Sequence, residues 1–285
     1  MFEFFKSVVP YAVPVFVVFT MLNVGLTQKL SIIIGHLKNF PFVLKMLAAN
    51  FIVVPLLMII VLNLMSFDSA LKAGLLVFSL CAGAPFLIKL TQAAEHNVAL
   101  GAAVMMLLMV ATVIYVPVVL PLILSGISVD AWAIARSLLL QMILPIAVGI
   151  LVVQFLPDFA KRAQPWVGRV GNITLYIVIA ATLIGYFPNM VGIAGTGAIL
   201  VALGFVAAAF GIGYLAGTGV DHLEDVGGLG TAQRNTAAGL IIAAQNFSDP
   251  NVLVMLTLAN TLGIVMLLLI AKLLKRDNKV RIETV

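Results

Sequence analysis

The stretch "GTAQRNTAAGL", residues 230–240, interrupts a long apolar segment with three adjacent polar side chains. Gln233, Arg234 and Asn235 place an amide, a guanidinium and a second amide side by side. A charge at the centre of a bilayer costs about 2.5–3.5 kcal/mol even on lenient insertion scales, so a cation in such a segment indicates a functional site. Glycine is a poor helix former, so we expect an interrupted helix with its break at Gly230.

The composition around this stretch is that of a membrane protein. The chain has 285 residues, of which 63% are hydrophobic and only 9% charged, whereas a soluble domain is about a quarter charged. The short alternating segments of a β-barrel are absent from the sequence. We therefore predict an all-α polytopic membrane protein. No nucleotide-binding, nucleophile or metalloprotease motif occurs in the sequence, so we expect no enzyme. The net charge is +5, but the basic residues lie mainly in short loops and the tail, so we expect no nucleic-acid partner.

Nine apolar segments are each long enough to cross a bilayer, which takes about 20 residues. In chain order they are roughly 8–27, 40–64, 71–95, 98–124, 131–155, 166–187, 195–219, 223–246 and 251–274. An odd number of spans puts the two termini on opposite sides of the membrane.

Lysine and arginine predict the orientation, because cytoplasmic loops are enriched in both. In the nine-span arrangement one side holds eleven of the sixteen basic residues: Lys29, Lys38, Lys45, Lys161, Arg162, Arg169, Lys272, Lys275, Arg276, Lys279 and Arg281. The other side holds three, namely Lys6, Lys72 and Arg136. The bias predicts a multi-pass protein of the plasma (inner) membrane with its N-terminus outside and its C-terminus in the cytoplasm. The last two basic residues, Lys89 and Arg234, lie inside predicted spans.

Segment 71–95 is a second candidate for an interrupted helix. It is helical in pattern up to Cys81 and then meets Gly83 and Pro85, and proline removes a backbone donor and clashes with the preceding turn. Interrupted segments at corresponding positions of two halves indicate the binding site of a secondary transporter. Segment 223–246 is the fourth span of its half, and the two positions correspond if the first half lacks its leading helix.

Lys89 and Arg234 each follow a predicted break by a few residues. A half-helix that begins at a break presents free N–H groups and the positive end of its dipole. No carboxylate lies between residues 71 and 94 or between 226 and 248, so we expect an anion-attracting centre. Two alternatives stay open: Lys89 snorkels to an interface, and Arg234 is a structural clamp on backbone carbonyls. Asn50 either joins the site or bridges two helices.

Three stretches carry a family resemblance that covers nearly the whole chain. "FTMLNVGLT" (19–27), "CAGAPFLIKLTQAAEHNVALG" (81–101) and "GTAQRNTAAGLIIAAQNF" (230–247) resemble, in order and spacing, the bile acid:sodium symporter family. The resemblance implies inverted repeats, a panel domain and a core domain, with two broken helices that cross in the core. It assigns the first repeat, without its leading helix, to 1–124, the second to 125–275 and a cytoplasmic tail to 276–285. The panel would comprise 8–27 and 131–187, and the core 40–124 and 195–274.

The positions that resemble the family's sodium ligands hold other residue types. Leu87 and Ile88 stand where sodium-using members have a Ser-Asn pair, and Gly101 and Met105 stand where the next helix supplies hydroxyls. Gly230 and Arg234 stand where those members have a Glu and a Gln, while Asn50 and Asn235 remain polar. The resemblance thus leads to the hypothesis that Lys89 and Arg234 replace the two sodium ions, so we expect no cofactor and no metal site.

We expect a secondary transporter that moves a small organic anion by alternating access, without sodium, in contact with the lipid bilayer, as a monomer or weak oligomer. The expected site residues are Lys89, Arg234, Asn235, Gln233, Thr231, Thr236, Thr91, Gln92 and Asn50, and the expected helix breaks are Gly83, Pro85 and Gly230. Sodium symport through backbone carbonyls is the first alternative, and anion efflux is the second. Proton coupling is also open, because a buried lysine can titrate near neutral pH whereas arginine cannot. A non-transporting sensor or scaffold is the alternative from another class.

Overall fold

The computed structural model describes residues 2–28, 34–123, 130–218 and 223–283, with side chains up to Lys275. Its helices of seven residues or more are α1 (Phe2–Thr27), α2 (Phe40–Leu64), α3 (Ser69–Leu80), α4 (Leu87–Ala93), α5 (Val98–Ile123), α6 (Ala131–Phe155), α7 (Pro157–Gly185), α8 (Phe187–Ala194), α9 (Ala198–Gly217), α10 (Glu224–Ala232), α11 (Thr236–Asn246) and α12 (Pro250–Glu283). Within the described ranges every regular element is a helix. Seven of them, α1, α2, α5, α6, α7, α9 and α12, are long and apolar enough to cross a membrane. The protein is therefore an all-α polytopic membrane protein.

The other two predicted spans, 71–95 and 223–246, are each built from two half-helices. The first break separates α3 from α4 and contains Gly83 and Pro85. Gly83 has a φ of +78°, a value that glycine adopts readily. The second break separates α10 from α11 and consists of residues 233–235. Both predicted spans are thus interrupted helices, as the sequence predicts.

The second break lies later than the sequence analysis expects. Gly230 lies inside α10 and does not end it. The glycines of α10 instead permit close packing, since a Cβ on Gly227 would lie 2.5 Å from the Gly213 carbonyl oxygen of α9. A Cβ on Gly228 would lie 2.7 Å from the Phe210 ring. The helix ends at Ala232, two residues after Gly230, and the backbone becomes extended at Gln233.

Two prolines leave their helices continuous because a wider turn precedes each of them. The chain forms π-helical turns at Ala49–Val53 in α2 and at Leu139–Ile143 in α6. Pro55 and Pro145 lie two residues after the ends of these turns. Proline cannot donate to the carbonyl one turn back and clashes with it, and a π turn absorbs both effects.

Helix α1 packs against three other helices, α6, α7 and α11. Helix α1 lies against α7 and α6, and at its contact with α6 a Cβ on Gly25 would lie 2.3 Å from the Ile146 carbonyl oxygen. Elsewhere α9 packs on α10, and α12 packs on α3. Helix α1 also touches α11, the second half-helix of the second broken span.

Several boundaries differ from the predicted spans, and some predicted features cannot be compared. Helix α7 begins at Pro157, α8 precedes the span predicted at 195–219, and α12 continues through the predicted tail to Glu283. Gly197, with a φ of +80°, separates α8 from α9. Lys29 and the side chains of Arg276, Lys279 and Arg281 lie outside the described residues.

Candidate functional site

The two helix breaks cross and bond to each other through their backbones. The backbone N–H of Asn235 donates to the Cys81 carbonyl over 2.8 Å. Ala82 and Arg234 form an isolated antiparallel bridge. The side-chain amide of Asn235 donates to the Gly83 carbonyl over 3.0 Å. Backbone groups that a broken helix leaves unpaired are thereby satisfied inside the protein, which the membrane interior requires.

Helix α5 supports this crossing from one side. The hydroxyl of Thr112 accepts from the Ala82 N–H at 2.9 Å and donates to the Ala82 carbonyl at 3.0 Å. The break also lies directly against the α5 backbone, since a Cβ on Gly83 would lie 2.1 Å from the Met109 nitrogen. One hydroxyl thus pairs both backbone groups of Ala82, at the residue that bridges to the other break.

Arg234 is the largest fully buried side chain among the described residues and is 1% exposed. Its Nε donates to the Thr231 carbonyl at 3.0 Å, and Nη1 donates to the Ser79 carbonyl at 3.0 Å. Nη2 donates to Asn50 Oδ1 at 2.6 Å and also to the Thr231 carbonyl. The guanidinium therefore takes three oxygen acceptors from three different helices, α2, α3 and α10.

The electrostatic position of Arg234 differs from the expected one. Ser79 and Thr231 lie in the last turns of α3 and α10, where carbonyls lack helical partners and the helix dipole is negative. The guanidinium therefore caps the negative ends of both first half-helices, and does not add to the positive ends of the second half-helices. These dipole ends explain how a cation is buried although no carboxylate among the described residues pairs with it. This geometry agrees with the alternative in which Arg234 is a structural clamp on backbone carbonyls.

Asn50 links α2 to the crossing. It lies in the π turn of α2 and is 0% exposed. Its Nδ2 donates to the Met46 carbonyl at 2.9 Å and to the Thr231 hydroxyl at 3.0 Å, while its Oδ1 accepts from Arg234. Both N–H donors and the carbonyl oxygen of its amide are paired inside the protein, so Asn50 positions Arg234 and Thr231.

A cavity of about 270 Å³ lies beside the crossing, between α1 and α7 on one wall and the two breaks, α4, α11 and α12 on the other. Its lining includes the amides of Asn23, Gln28, Asn172, Gln233 and Asn260, and the ammonium of Lys89. It also includes the hydroxyls of Thr20, Thr27, Thr236, Thr257 and Thr261. Among the described lining residues none is acidic, so the cavity favours an anion or a neutral polar molecule.

Lys89 lies in this cavity and not at the crossing, which corrects its expected role in the place of a sodium ion. It is exposed on the face of α4 opposite the buried Leu87 and Leu90. Its Nζ lies 5.7 Å from the centre of the Phe86 ring. Around Gly230, the apolar side chains of Leu87 and Val104 fill the space, 3.3 Å and 3.0 Å from a Cβ placed there.

The remaining predicted site residues divide between the cavity and the protein interior. Gln233 is 3% exposed and lines the cavity, as does Thr236, whose buried Oγ1 has no hydrogen-bond partner within the described chain. Thr91 is buried, donates to the Leu87 carbonyl at 2.8 Å and lies outside the cavity lining. Gln92 is exposed and also lies outside the lining.

Several residues of the crossing and the cavity are not predicted from the sequence. Thr112 gives a weak signal, since it is a hydroxyl in the apolar stretch 98–123. Ser79 contributes a backbone carbonyl, which no side-chain pattern reveals. Asn23 and Gln164 bond to each other over 2.9 Å but lie far apart in sequence, so only the packing of α1 on α7 brings them together.

Replacing Thr112 with valine should destabilise the crossing. Valine has the same shape without the hydroxyl, so the Ala82 N–H and carbonyl both lose their partner, at a cost of about 1–3 kcal/mol for each unpaired buried group. We expect the apparent Tm in detergent to fall by roughly 5 °C, with Thr112→Ser as the matched control that keeps the hydroxyl. An unchanged Tm for Thr112→Val would show that the Ala82 groups find other partners.

Comparison with known proteins gives a family match and several distant relatives. The sequence profile of the Sodium Bile acid symporter family matches residues 14–193. The chain is 24% identical over 241 residues to "Probable sodium/metabolite cotransporter BASS2, chloroplastic" of Oryza sativa subsp. japonica, covering 83% of this chain and 57% of that protein. It is 25% identical over 250 residues to "Probable sodium/metabolite cotransporter BASS1, chloroplastic" of Arabidopsis thaliana, covering 86% of this chain and 62% of that protein. The chain thus spans about three fifths of the length of these curated relatives.

Proposed function

Since this chain belongs to the Sodium Bile acid symporter family, we propose that it is a secondary transporter which moves a small organic anion, a carboxylate or sulfonate, across a membrane by alternating access. The names of its relatives, which are given as probable sodium/metabolite cotransporters, support the assignment to transport. The broken helices support it as well, because crossing interrupted helices typically form the binding site of secondary transporters.

The anionic character of the substrate rests on one observation, the position of Lys89. Its ammonium is exposed in the cavity, and the described lining residues offer it no carboxylate. A cation that is free to pair with a ligand favours an anion, and its flexible stem lets it follow the bound group. The apolar lining from Phe16, Val24 and Leu240 suits the carbon skeleton of such a substrate.

Independence from sodium is the second part of the proposal and rests on Arg234. Carbonyl and amide oxygens such as those of Ser79, Thr231 and Asn50 are the ligand type that a hard cation takes. The guanidinium of Arg234 already occupies all three. On this proposal a fixed positive charge holds the crossing together in every step of the cycle, and transport needs no ion to assemble the site.

The moving parts follow from the same geometry. We assign α1, α6 and α7 to a panel and the remaining helices to a core, arranged as inverted repeats with nine membrane-crossing segments. The cavity lies between the two groups, next to the last turns of α1 and the middle turns of α7, where its lining runs from Gly171 to Ile179. With the N-terminus outside and the C-terminus in the cytoplasm of the plasma (inner) membrane, this arrangement is the inward-facing state.

Sodium-coupled symport is the second candidate, because the relatives carry that activity in their names. It differs from the first candidate in one measurable respect, the dependence of uptake on a sodium gradient. A sensor or scaffold without transport differs from both, since purified protein in vesicles would then bind anions without any flux.

Alternating access predicts that a cross-link opposite the cavity stops transport. Ser137 Oγ of α6 donates to Gln245 Oε1 of α11 at 2.5 Å. Gln245 follows the cavity residue Thr236 by nine residues, which is about 13 Å along α11. This contact joins panel to core and must part when the outer side opens. In a double variant with Ser137→Cys and Gln245→Cys, a short bifunctional reagent that joins the two thiols should abolish uptake while anion binding at the cavity persists.

Cys81, the single native cysteine, is 1% exposed and can stay in place during this experiment. Each single-cysteine variant treated with the reagent serves as the control and should transport normally. Full uptake by the cross-linked double variant would contradict movement between the two groups at this contact.

A further inference from the structure

The panel wall of the cavity holds an amide whose orientation is set by a neighbouring helix. Asn23 lies near the end of α1 and lines the cavity. Its Oδ1 accepts from Gln164 Nε2 of α7 at 2.9 Å. Within the part of the chain that the structure describes, the Nδ2 of Asn23 has no acceptor. The carbonyl side of this amide is therefore occupied, and its N–H side is left for the cavity.

Helix α7 is shaped to hold this pair. Gly168 lies one turn after Gln164, and a Cβ there would lie 2.9 Å from Asn23 Oδ1. A Cβ on Gly171 would lie 3.3 Å from the Thr20 hydroxyl, on the same face of α1. The two glycines let the polar face of α1 approach α7 closely, which brings Gln164 within bonding distance of Asn23.

We propose that Asn23 determines specificity by donating a hydrogen bond to a neutral acceptor on the substrate, and that Gln164 is the positioning residue that turns the Asn23 amide toward the cavity. This inference rests on the proposed function, in which Lys89 on the opposite wall binds the anionic group. The substrate is then an organic anion that carries a second, uncharged oxygen acceptor such as a ketone.

An anion without such an acceptor displaces water from Asn23 and leaves the Nδ2 unpaired. A site built around a hydrogen bond rejects the analogue that lacks it, and a single neutral bond in a partly exposed cavity corresponds to about tenfold in affinity. The difference in affinity should appear between hexanoate and at least one of the isomeric 2-, 3-, 4- and 5-oxohexanoates, because their carbon chain is the same.

The test measures the affinities of this series by isothermal titration or thermal shift on the purified full chain. Wild type should bind one oxo isomer about tenfold more tightly than hexanoate. Gln164→Leu and Asn23→Leu should bring this ratio close to one. In Gln164→Glu the carboxylate accepts from the Asn23 N–H side and turns its carbonyl to the cavity, so the corresponding hydroxy acid should be preferred over the oxo acid. Gln154→Leu is the matched control, because Gln154 is an exposed glutamine outside the cavity lining. This variant should keep the wild-type ratio of oxo-acid to hexanoate affinity.

Equal affinities of wild type for hexanoate and every oxo isomer would overturn the inference and leave the proposed function standing. An oxo preference that survives in Gln164→Leu and Gln164→Glu would overturn the role of Gln164 and Asn23. If wild type bound no member of the series, and Lys89→Gln left anion uptake unchanged, the proposed function would be overturned and the inference with it.

Discussion

Arg234→Leu should lower the apparent Tm of the purified protein by roughly 10 °C, the largest effect that we expect from a single side chain. The substitution leaves the Ser79 and Thr231 carbonyls and Asn50 Oδ1 without the donor that now pairs them. A buried acceptor left unpaired costs about 1–3 kcal/mol, so the three together amount to about 3 kcal/mol or more. Two negative helix ends would also face each other without a cation between them.

Two further variants separate the charge of Arg234 from its hydrogen bonds. Arg136→Leu removes an exposed arginine and should leave the Tm unchanged, as the matched control. Arg234→Gln keeps a short donor but removes the charge, so sodium should raise its Tm relative to choline, while wild type should show no difference. A wild-type Tm that rises in sodium, or an Arg234→Leu protein as stable as wild type, would contradict the account of the crossing.

Lys89→Gln should weaken anion binding and slow uptake at low substrate concentration by about 10- to 100-fold, the range that corresponds to one charge-assisted hydrogen bond. Lys89→Glu should weaken it further, because the carboxylate repels the substrate. The fold should be unaffected, since Lys89 is exposed and its recorded contact is the face of Phe86. Affinities are measured by thermal shift and by uptake into vesicles, both at constant ionic strength because salt screens exposed charges.

Lys45→Gln is the matched control for this experiment. Lys45 is exposed, belongs to the predicted cytoplasmic side and lies outside the cavity lining. Its removal changes the net charge by the same amount and should leave binding as in wild type. If Lys89→Gln bound and transported anions as wild type does, the anionic group would be recognised elsewhere in the cavity.

Hydrophobic patterning predicts the helices well, because a bilayer demands long apolar segments and tolerates few departures. Segments 40–64 and 131–155 coincide with α2 and α6, and the first break falls at Gly83 and Pro85 as expected. The second break is mispredicted at Gly230 because a glycine has two uses. In α10 the glycines serve close helix packing, and a single sequence does not distinguish packing from interruption.

The candidate site is predicted only in part, and the reason is geometric. A lone cation in an apolar segment identifies Arg234 and Lys89, but periodicity does not tell which end of which half-helix a long side chain reaches. Arg234 reaches back to α3 and α10, whereas Lys89 points away from the crossing. Thr112 and the pair of Asn23 and Gln164 act through contacts between helices distant in sequence, which no local pattern encodes.

If Arg234 replaces the sodium ion at the crossing, uptake of the substrate should not depend on a sodium gradient. Purified protein in vesicles would receive a radiolabelled carboxylate that binds in thermal shift, under an inward sodium gradient or an equal choline gradient. We expect the same initial rate in both gradients, and no uptake by vesicles without protein. A rate several times higher with sodium would contradict it and would assign the chain to sodium-coupled symport.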